Sequence, residues 1–298
     1  MKKEKMRVLK CLLCAVFVGI LAAGCTAKEA VKPEEAPPEE KEEEMGRETY
    51  RFVDVYGNQY EAKLLEDVPA CEYDYSRLTE ENGYKAYLDK DGKKISKAGI
   101  DVSKYQAEVD WNQVKDSGIE FVIIRLGYRG YGEEGLLVED PLFRQHMEGA
   151  LASGLEVGVY FFSQAVTDAE AAEEAQFVLE RIKGYPITYP VVFDTEEIKD
   201  DVARTDGLSR EQFTENCRVF CDKIEEAGYD TMIYANMKWL AFTLDLTALT
   251  EYDIWYADYE EEPQNPYAFS MWQYTEEGQV PGIEGNVDIN LLFEDYGR

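Results

Sequence analysis

The sequence predicts an α/β protein whose main domain is a shortened TIM-like β/α barrel of eight strands, with helices after only the first five, preceded by a small β-rich unit. From residue 97 onward, short apolar runs alternate with amphipathic helical stretches, a pattern typical of parallel strands joined by right-handed crossovers. After about residue 240 the helical stretches stop while the apolar runs continue. Residues 97–298 are also fewer than the roughly 250 residues of an ordinary barrel.

The composition restricts the classes of function. The chain has 31 Lys and Arg residues against 61 Asp and Glu residues, a formal net charge of −30, so no nucleic-acid partner is expected. The single histidine, His146, cannot supply a zinc site with several histidine ligands, and a Ser-His-Asp triad would have to use it. His146 lies in a helical stretch with Phe143 and Met147, which favours a surface or packing role over catalysis. We therefore expect neither a metal nor a cofactor.

Residues 1–25 are predicted to be a lipoprotein signal peptide. Five Lys and Arg residues precede an apolar run at 11–23 (CLLCAVFVGILAA), which is shorter than the ~20 residues that a membrane-spanning helix needs. The run ends in LAAGC at 21–25, which resembles a bacterial lipobox, so Cys25 is the predicted lipidation site. The alternative is a plain signal peptide with a chance cysteine. We expect a lipoprotein anchored on the outer face of the cytoplasmic membrane.

Residues 26–48 are predicted to be a disordered acidic tether, because they are rich in Pro and Glu. Residues 49–96 are predicted to be a small β-hairpin unit. Alternating residues at 50–55 and 59–64 flank one turn, and 84–88 and 93–96 flank a second turn at Asp91-Gly92. Since this unit has few large aliphatic residues, we expect it to lean on the domain that follows.

The predicted barrel domain, 97–298, contains strands and helices in a regular order. Strands are predicted at 98–102, 120–126, 156–162, 190–194, 231–235, 253–257, 269–274 and 286–289. Helices are predicted at 111–116, 140–153, 168–183, 209–227 and 238–240. The alternative architecture is an open doubly wound sheet. However, Gly127, Gly130 and Gly132 lack the GxGxxG spacing of a dinucleotide-binding loop, and no GxxxxGK[ST] motif occurs.

Polar and aromatic residues interrupt the strand ends, where a barrel builds its active site. Carboxyl groups occur at the ends of strands one, four, six and eight, and aromatic rings at strands two, three, five, six and seven. Sugar rings stack on aromatic faces, and cleavage of a glycosidic bond needs carboxyl groups, so this pattern predicts a carbohydrate site. The run at 258–262 (DYEEE) is predicted to be an exposed loop. The candidate substrate-binding residues are Tyr128, Tyr160, Tyr234, Trp255, Trp272 and Gln273.

For each of the three tyrosines the alternative is an ordinary core position. The fourth strand is more informative, because Asp194 and Glu196 are two residues apart and share one face of a strand. Two carboxyl groups held close in a partly dry site cannot both ionise freely, so one pKa rises and that group can act as a general acid. The alternative is that this segment caps a following helix. Asp101 and Asp288 at other strand ends favour catalysis.

Residues 97–298 resemble the lysozymes of glycoside hydrolase family 25, which are N-acetylmuramidases acting on peptidoglycan. Each matching motif is short, but together and in order they are specific. They are 99–106 (GIDVSKYQ) with 110–111 (DW), 121–125 (FVIIR), 158–163 (GVYFFS), 192–196 (VFDTE), 272–274 (WQY) and 287–290 (VDIN). The fold of that family is a shortened β/α barrel with helices missing from its last part.

The resemblance implies a role for each carboxyl group. Glu196 matches the catalytic proton donor, and Asp194 matches the neighbouring acid that orients the N-acetyl group of the substrate or stabilises the intermediate. Asp101 and Asp288 match the other two catalytic carboxylates. The implied reaction is hydrolysis, without a metal, of the β-1,4 bond between N-acetylmuramic acid and N-acetylglucosamine. Both a substrate-assisted route and an inverting route with activated water fit the sequence.

The expected partners are therefore peptidoglycan glycan strands and, through the lipid, the membrane. Two other functions compete with the membrane-tethered lysozyme. One is a catalytically inactive lipoprotein that binds peptidoglycan without cutting it. The other is a zinc hydrolase such as a polysaccharide deacetylase, which a single histidine disfavours.

Overall fold

The computed structural model describes residues 48–199 and 201–293. The predicted signal peptide, with Cys25, and the predicted tether apart from Glu48 lie outside the described residues. No helix within the described ranges is both long enough and apolar enough to span a bilayer.

Two antiparallel hairpins precede the barrel. The first pairs β1 (Thr49–Val53) with β2 (Gln59–Lys63), where the sequence alternates. The second pairs β3 (Leu78–Glu81) with β4 (Tyr84–Tyr87), and this differs from the predicted pairing of 84–88 with 93–96.

The turn residues explain the difference in the second hairpin. Asn82 and Gly83 join β3 to β4 with φ angles of 54° and 84°. A tight two-residue hairpin turn needs positive φ at both positions, and Asn-Gly is the pair that supplies it. The segment after Asp91-Gly92 instead returns to β4 through one isolated bridge between Leu88 and Lys94.

The predicted fold class is confirmed, because eight strands close into one barrel. A ninth, β7 (Leu137–Glu139), extends the sheet beside β6. The barrel strands are β5 (Lys97–Val102), β6 (Phe121–Arg129), β8 (Glu156–Phe162), β9 (Val191–Asp194), β10 (Thr231–Asn236), β11 (Asp253–Ala257), β12 (Met271–Gly278) and β13 (Val287–Leu292).

Helices follow the first five barrel strands and none of the described segments after β11 is an α-helix. Short polar side chains cap four of them by accepting backbone N–H bonds in the first turn, as helix starts require. These N-caps are Asp110, Thr167, Ser209 and Asn236. The helices are α1 (Trp111–Asp116), α2 (Phe143–Ala152), α3 (Asp168–Ile182), α4 (Arg210–Glu226) and α5 (Met237–Phe242).

The last strand runs in the opposite direction to the others. From β5 through β12 each neighbouring pair in the barrel wall is parallel, whereas β13 is antiparallel to both β12 and β5. The start of β13 therefore lies at the mouth formed by the carboxyl ends of the other strands. This orientation brings Asp288, the second residue of β13, to that mouth, directly opposite Asp101.

Alternation along each strand produces two apolar layers. Phe121, Val192 and Trp255 point into the barrel, and neighbours such as Phe193 pack outward against the helices. The ring of Phe121 stacks on Tyr189 at a centroid distance of 4.8 Å and fills the barrel floor. Because the floor is filled by side chains, the free space lies at the mouth.

The N-terminal unit covers the side of the barrel that lacks helices. Tyr73 stacks on Phe293 at 4.1 Å between ring centroids and meets Phe269 edge-on at 5.3 Å. Tyr87 packs on Phe293 at 5.1 Å. Strands β11 to β13 have no helices of their own to shield their outer faces, so these aromatic contacts replace the missing layer.

Candidate active site

One pocket at the mouth contains all four carboxyl groups singled out from the sequence, Asp101, Asp194, Glu196 and Asp288. Its volume is about 160 Å³. It opens at the carboxyl ends of the parallel strands, where barrels place their active sites. The other lining residues are Tyr160, Tyr234, Trp255, Tyr259, Gln273 and Glu276.

Asp101 and Asp288 form one carboxyl pair. They face each other across the β5–β13 pairing and share a hydrogen bond. The Asp101 Oδ2 atom also accepts from Gln273 Nε2 at 2.9 Å and from Asn290 Nδ2 at 2.8 Å. Burial raises the pKa of Asp101, and this effect is larger than the lowering by the hydrogen bonds from Gln273 and Asn290. Burial and the neighbouring charge of Asp101 raise the pKa of Asp288 to about 9.

Asp194 and Glu196 form the second pair, at the end of β9. The strand ends at Asp194, yet both side chains turn into the pocket and share a hydrogen bond. Burial and the charge of Glu196 raise the pKa of Asp194, and burial and the charge of Asp101 raise the pKa of Glu196 to about 7. These residues cap no helix, because Ser209 is the N-cap of α4.

The Asp194 carboxyl group has an unused acceptor. Asp194 is only 4% exposed, and its Oδ1 atom makes no hydrogen bond within the described part of the protein. A buried polar atom without a partner is costly in a folded protein.

Aromatic side chains form the walls between the two carboxyl pairs. Trp255 packs edge-on against Tyr234 at 4.9 Å and against Tyr160 at 6.2 Å between ring centroids. The Trp255 Nε1 group donates to Asn290 Oδ1 at 2.8 Å, and the Tyr234 hydroxyl donates to Gln273 Oε1 at 2.9 Å. These bonds fix the rings and, through Asn290 and Gln273, also fix Asp101.

Two predicted substrate-binding residues do not line this pocket. Trp272 was expected at the mouth, but it is fully buried on the outer side of the barrel, where its Nε1 group donates to the Asp258 carbonyl at 2.6 Å. Adjacent residues of a strand face opposite sides, and Gln273 occupies the inward position. Tyr128 lies outside the pocket lining, 5.8 Å from the Arg125 guanidinium carbon.

The structure adds three residues that the sequence did not reveal as part of the site. Tyr259 and Glu276 line the pocket, and Asn290 holds Asp101. The predicted exposed loop at 258–262 is therefore exposed only in part, since Asp258 is 4% exposed and Tyr259 points inward. Asn290 stands two residues after Asp288, and this spacing could have placed it on the same face of β13.

His146 lies away from the pocket, as its helical setting predicts. It is fully buried, its Nε2 atom is 3.2 Å from the Ser103 carbonyl, and its ring packs edge-on against Trp111. Within residues 48–199 and 201–293, no cluster of three or more His, Cys, Asp or Glu side chains is arranged to hold a metal ion.

Comparison with known proteins assigns the family. The family model described as glycosyl hydrolases family 25 matches residues 100–283. The chain belongs to glycoside hydrolase family 25. It is lysozyme-like in sequence: it is 29% identical over 197 residues to the autolytic lysozyme of Clostridium acetobutylicum, covering 66% of this chain and 56% of that protein.

The chain is also similar to a second curated protein and to solved structures. The chain is 30% identical over 203 residues to the uncharacterised Escherichia coli protein YegX, covering 65% of this chain and 68% of that one. In fold, it matches the modular autolysin LytC of Streptococcus pneumoniae with a TM-score of 0.58 at 24% identity, over 81% of this chain and 56% of that chain. It therefore spans about half the length of the clostridial lysozyme and of LytC.

Proposed function

We propose that this family 25 protein is a lysozyme that hydrolyses the β-1,4 bond between N-acetylmuramic acid and N-acetylglucosamine in bacterial peptidoglycan, for cell wall turnover. The observation that carries the proposal is the gathering of Asp101, Asp194, Glu196 and Asp288 in one aromatic-lined pocket. The names of two relatives, an autolytic lysozyme and lysozyme M1 of Streptomyces globisporus, support it.

Glu196 is the proposed general acid. Its pKa, raised to about 7 by burial and by the charge of Asp101, leaves it protonated at mildly acidic pH and about half protonated at neutral pH. A general acid works best when its pKa lies near the working pH. Glu196 transfers its proton to the glycosidic oxygen as the bond from that oxygen to the anomeric carbon breaks.

Asp194 is the proposed partner of the substrate's acetamide group. Its carboxyl group lies beside that of Glu196 in the same wall of the pocket, whereas a retaining nucleophile stands ~5 Å or more from the acid, on the other side of the bond. The close pair therefore favours the substrate-assisted route. The acetamide oxygen attacks the anomeric carbon as the leaving sugar departs. Water then attacks the same carbon, gives a proton back to the Glu196 carboxylate and breaks the bond from that carbon to the acetamide oxygen.

The Asp101–Asp288 pair is proposed to stabilise the positive charge that develops on the sugar, with Asp101 carrying the negative charge while Asp288, whose pKa is raised to about 9, keeps its proton. They stand on β5 and β13, three or more strands around the barrel from β9, and the charge of Asp101 acts on both Asp194 and Glu196. Of the predicted binding residues, Tyr160, Tyr234, Trp255 and Gln273 line the site and are proposed to contact the glycan.

The test is release of soluble muropeptides from purified peptidoglycan by the wild type and by Glu196→Gln. Glu197→Gln is the matched control, because Glu197 is adjacent but exposed and pairs with Lys238 at 2.9 Å. The wild type and the control should release muropeptides, and Glu196→Gln should not. Equal release by all three would remove the assigned role of Glu196, and binding without release by the wild type would favour an inactive binding protein.

We also propose that the protein is lipidated at Cys25 and held on the outer face of the cytoplasmic membrane. The basic residues, the apolar run and LAAGC at 21–25 support this proposal. Expression of Cys25→Ser in a bacterial host should leave the protein in the soluble or secreted fraction, with the wild type in the membrane fraction. The same fractionation for both would contradict the anchor.

A further inference from the structure

The loop after β11, residues 258–264, brings one aromatic side chain into the pocket. Tyr259 lines the site, and its hydroxyl group donates to Gln273 Oε1 at 3.1 Å. The other end of the Gln273 amide donates to Asp101 Oδ2 at 2.9 Å. A displacement of Tyr259 would therefore change the wall of the pocket, while Gln273 would still be held by the Tyr234 hydroxyl at 2.9 Å.

The buried carboxyl group of Asp258 holds this loop in shape. It accepts the Tyr256 hydroxyl at 2.6 Å, the Glu260 N–H at 3.1 Å and the Gln264 N–H at 2.9 Å. The Asp258 carbonyl accepts from Trp272 Nε1 at 2.6 Å. The first and last residues of the loop are thus tied to each other and to the barrel wall.

Two contacts tie the same loop to the N-terminal hairpins. The side-chain amide of Gln264 bonds both backbone groups of Val53, accepting from its N–H at 2.8 Å and donating to its carbonyl at 2.9 Å. The Nζ atom of Lys85, on β4, donates to the Glu261 carbonyl at 2.8 Å. Val53 and Lys85 precede the region that matches the family model, which begins at residue 100.

The charge of the loop explains why it needs such anchors. Glu260, Glu261 and Glu262 are exposed and adjacent, and they lie near a pocket that already contains five carboxyl groups. Like charges at short range repel, so the loop gains by moving outward unless other contacts hold it. The Val53 and Lys85 contacts oppose this movement.

We propose that the N-terminal β-unit is a component of the active site, in which Gln264, clamped by β1, acts as a positioning residue that holds the 258–264 loop and thereby Tyr259 against the glycan. The proposal rests on the proposed function, since Tyr259 matters there as part of the sugar-binding wall. The proposal gives a function to residues 49–96, which lie outside the region that matches the family model.

A double-mutant cycle tests the proposal with the full chain. Gln264→Ala should raise KM for soluble glycan fragments about 3- to 10-fold and change kcat less than twofold, as loss of uniform binding does. Tyr259→Ala should raise KM at least as much. If Gln264 acts through Tyr259, the KM of the double variant should equal that of Tyr259→Ala, because the two changes remove one shared interaction. A KM for the double variant that is raised by the product of the two single increases would overturn the proposal.

Two further variants distinguish loss of the loop contacts from a general disturbance of the N-terminal unit. Arg51→Ala removes an exposed side chain of β1 that pairs with Glu61 at 2.8 Å, away from the loop, and should leave KM and kcat unchanged. Lys85→Met removes the bond to the Glu261 carbonyl but keeps the apolar stem, and should raise KM in the same direction as Gln264→Ala.

Hydrogen exchange separates failure of this proposal from failure of the proposed function. In Gln264→Ala the backbone amides of 259–262 should exchange faster than in the wild type, and in Arg51→Ala they should not. This readout needs no cleavage activity. If the wild type cleaves no glycan, the proposed function fails while the exchange result still decides whether the clamp exists. Unchanged exchange in Gln264→Ala would overturn the clamp.

Discussion

Replacement of Glu196 by glutamine should make the protein more stable at alkaline pH while removing its activity. The folded protein raises the pKa of Glu196 from 4.5 to about 7, chiefly by burial and by the charge of Asp101. A raised pKa means that the folded state binds the proton more tightly than the unfolded state, so stability falls as pH rises from about 4.5 and through about 7. Glutamine has no proton to lose.

The size of the effect follows from the shift in pKa. A rise of about 2.5 in pKa, at about 1.4 kcal/mol each, corresponds to about 3.5 kcal/mol, and because the Glu196 side chain is half-buried rather than fully enclosed the expected effect is about 1–3 kcal/mol. For a domain of this size that is a rise in Tm of roughly 3–10 °C at pH 8. Near pH 4.5 the carboxyl group is protonated in the folded state and about half protonated in the unfolded state, so the free energies of unfolding of the two proteins should differ by less than ~0.5 kcal/mol.

Urea and thermal unfolding of wild type and Glu196→Gln at pH 4.5 and pH 8 provide the assay. Glu197→Gln serves as the control, and its stability should stay within about 0.5 kcal/mol of the wild type at both pH values because the residue is exposed. Cleavage by Glu196→Gln should fall at least about 10²-fold. An equal stability difference at both pH values, or a less stable variant at pH 8, would refute the reasoning.

Three further predictions concern the pocket. Since the charge of Glu276 raises the pKa of Glu196, Glu276→Gln should move the alkaline limb of the kcat/KM profile to lower pH, and an unmoved limb would argue against this coupling. Trp255→Phe should raise KM by removing part of the pocket wall and the bond to Asn290, and an unchanged KM would contradict the position of Trp255 in the site. Activity should persist in EDTA, and a loss that Zn²⁺ restores would reveal a metal mechanism.

The barrel could be predicted from the sequence because its strands are buried on both faces. Such strands appear as continuous apolar runs, and the helices between them begin at recognisable caps such as Thr167 and Ser209. The second N-terminal hairpin is only partly as the sequence predicts. The chain turns at Asp91-Gly92 and bridges back from Lys94 to Leu88, but the longer ladder pairs β4 with β3 through the turn at Asn82-Gly83. Both pairs are hairpin signals, and the sequence alone does not show which one closes the longer ladder.

The four carboxyl groups could be found from their positions beside apolar runs, but the details of the site depend on strand direction and on loops. Asp288 reaches the mouth because β13 is antiparallel, which no local pattern specifies. Trp272 and Gln273 are adjacent, so only one faces inward, and the contact of Gln273 with Asp101 fixes which. Tyr259 stands in an acidic stretch, and only the fold shows that it turns inward.

Analysis of the cleavage products tests the central claim most directly. Purified peptidoglycan is digested with the wild-type protein, the new sugar ends are reduced with borohydride, and the fragments are examined by mass spectrometry. A family 25 muramidase should yield fragments that end in reduced N-acetylmuramic acid. Fragments ending in reduced N-acetylglucosamine, or glycan strands that are bound but uncut, would contradict the account.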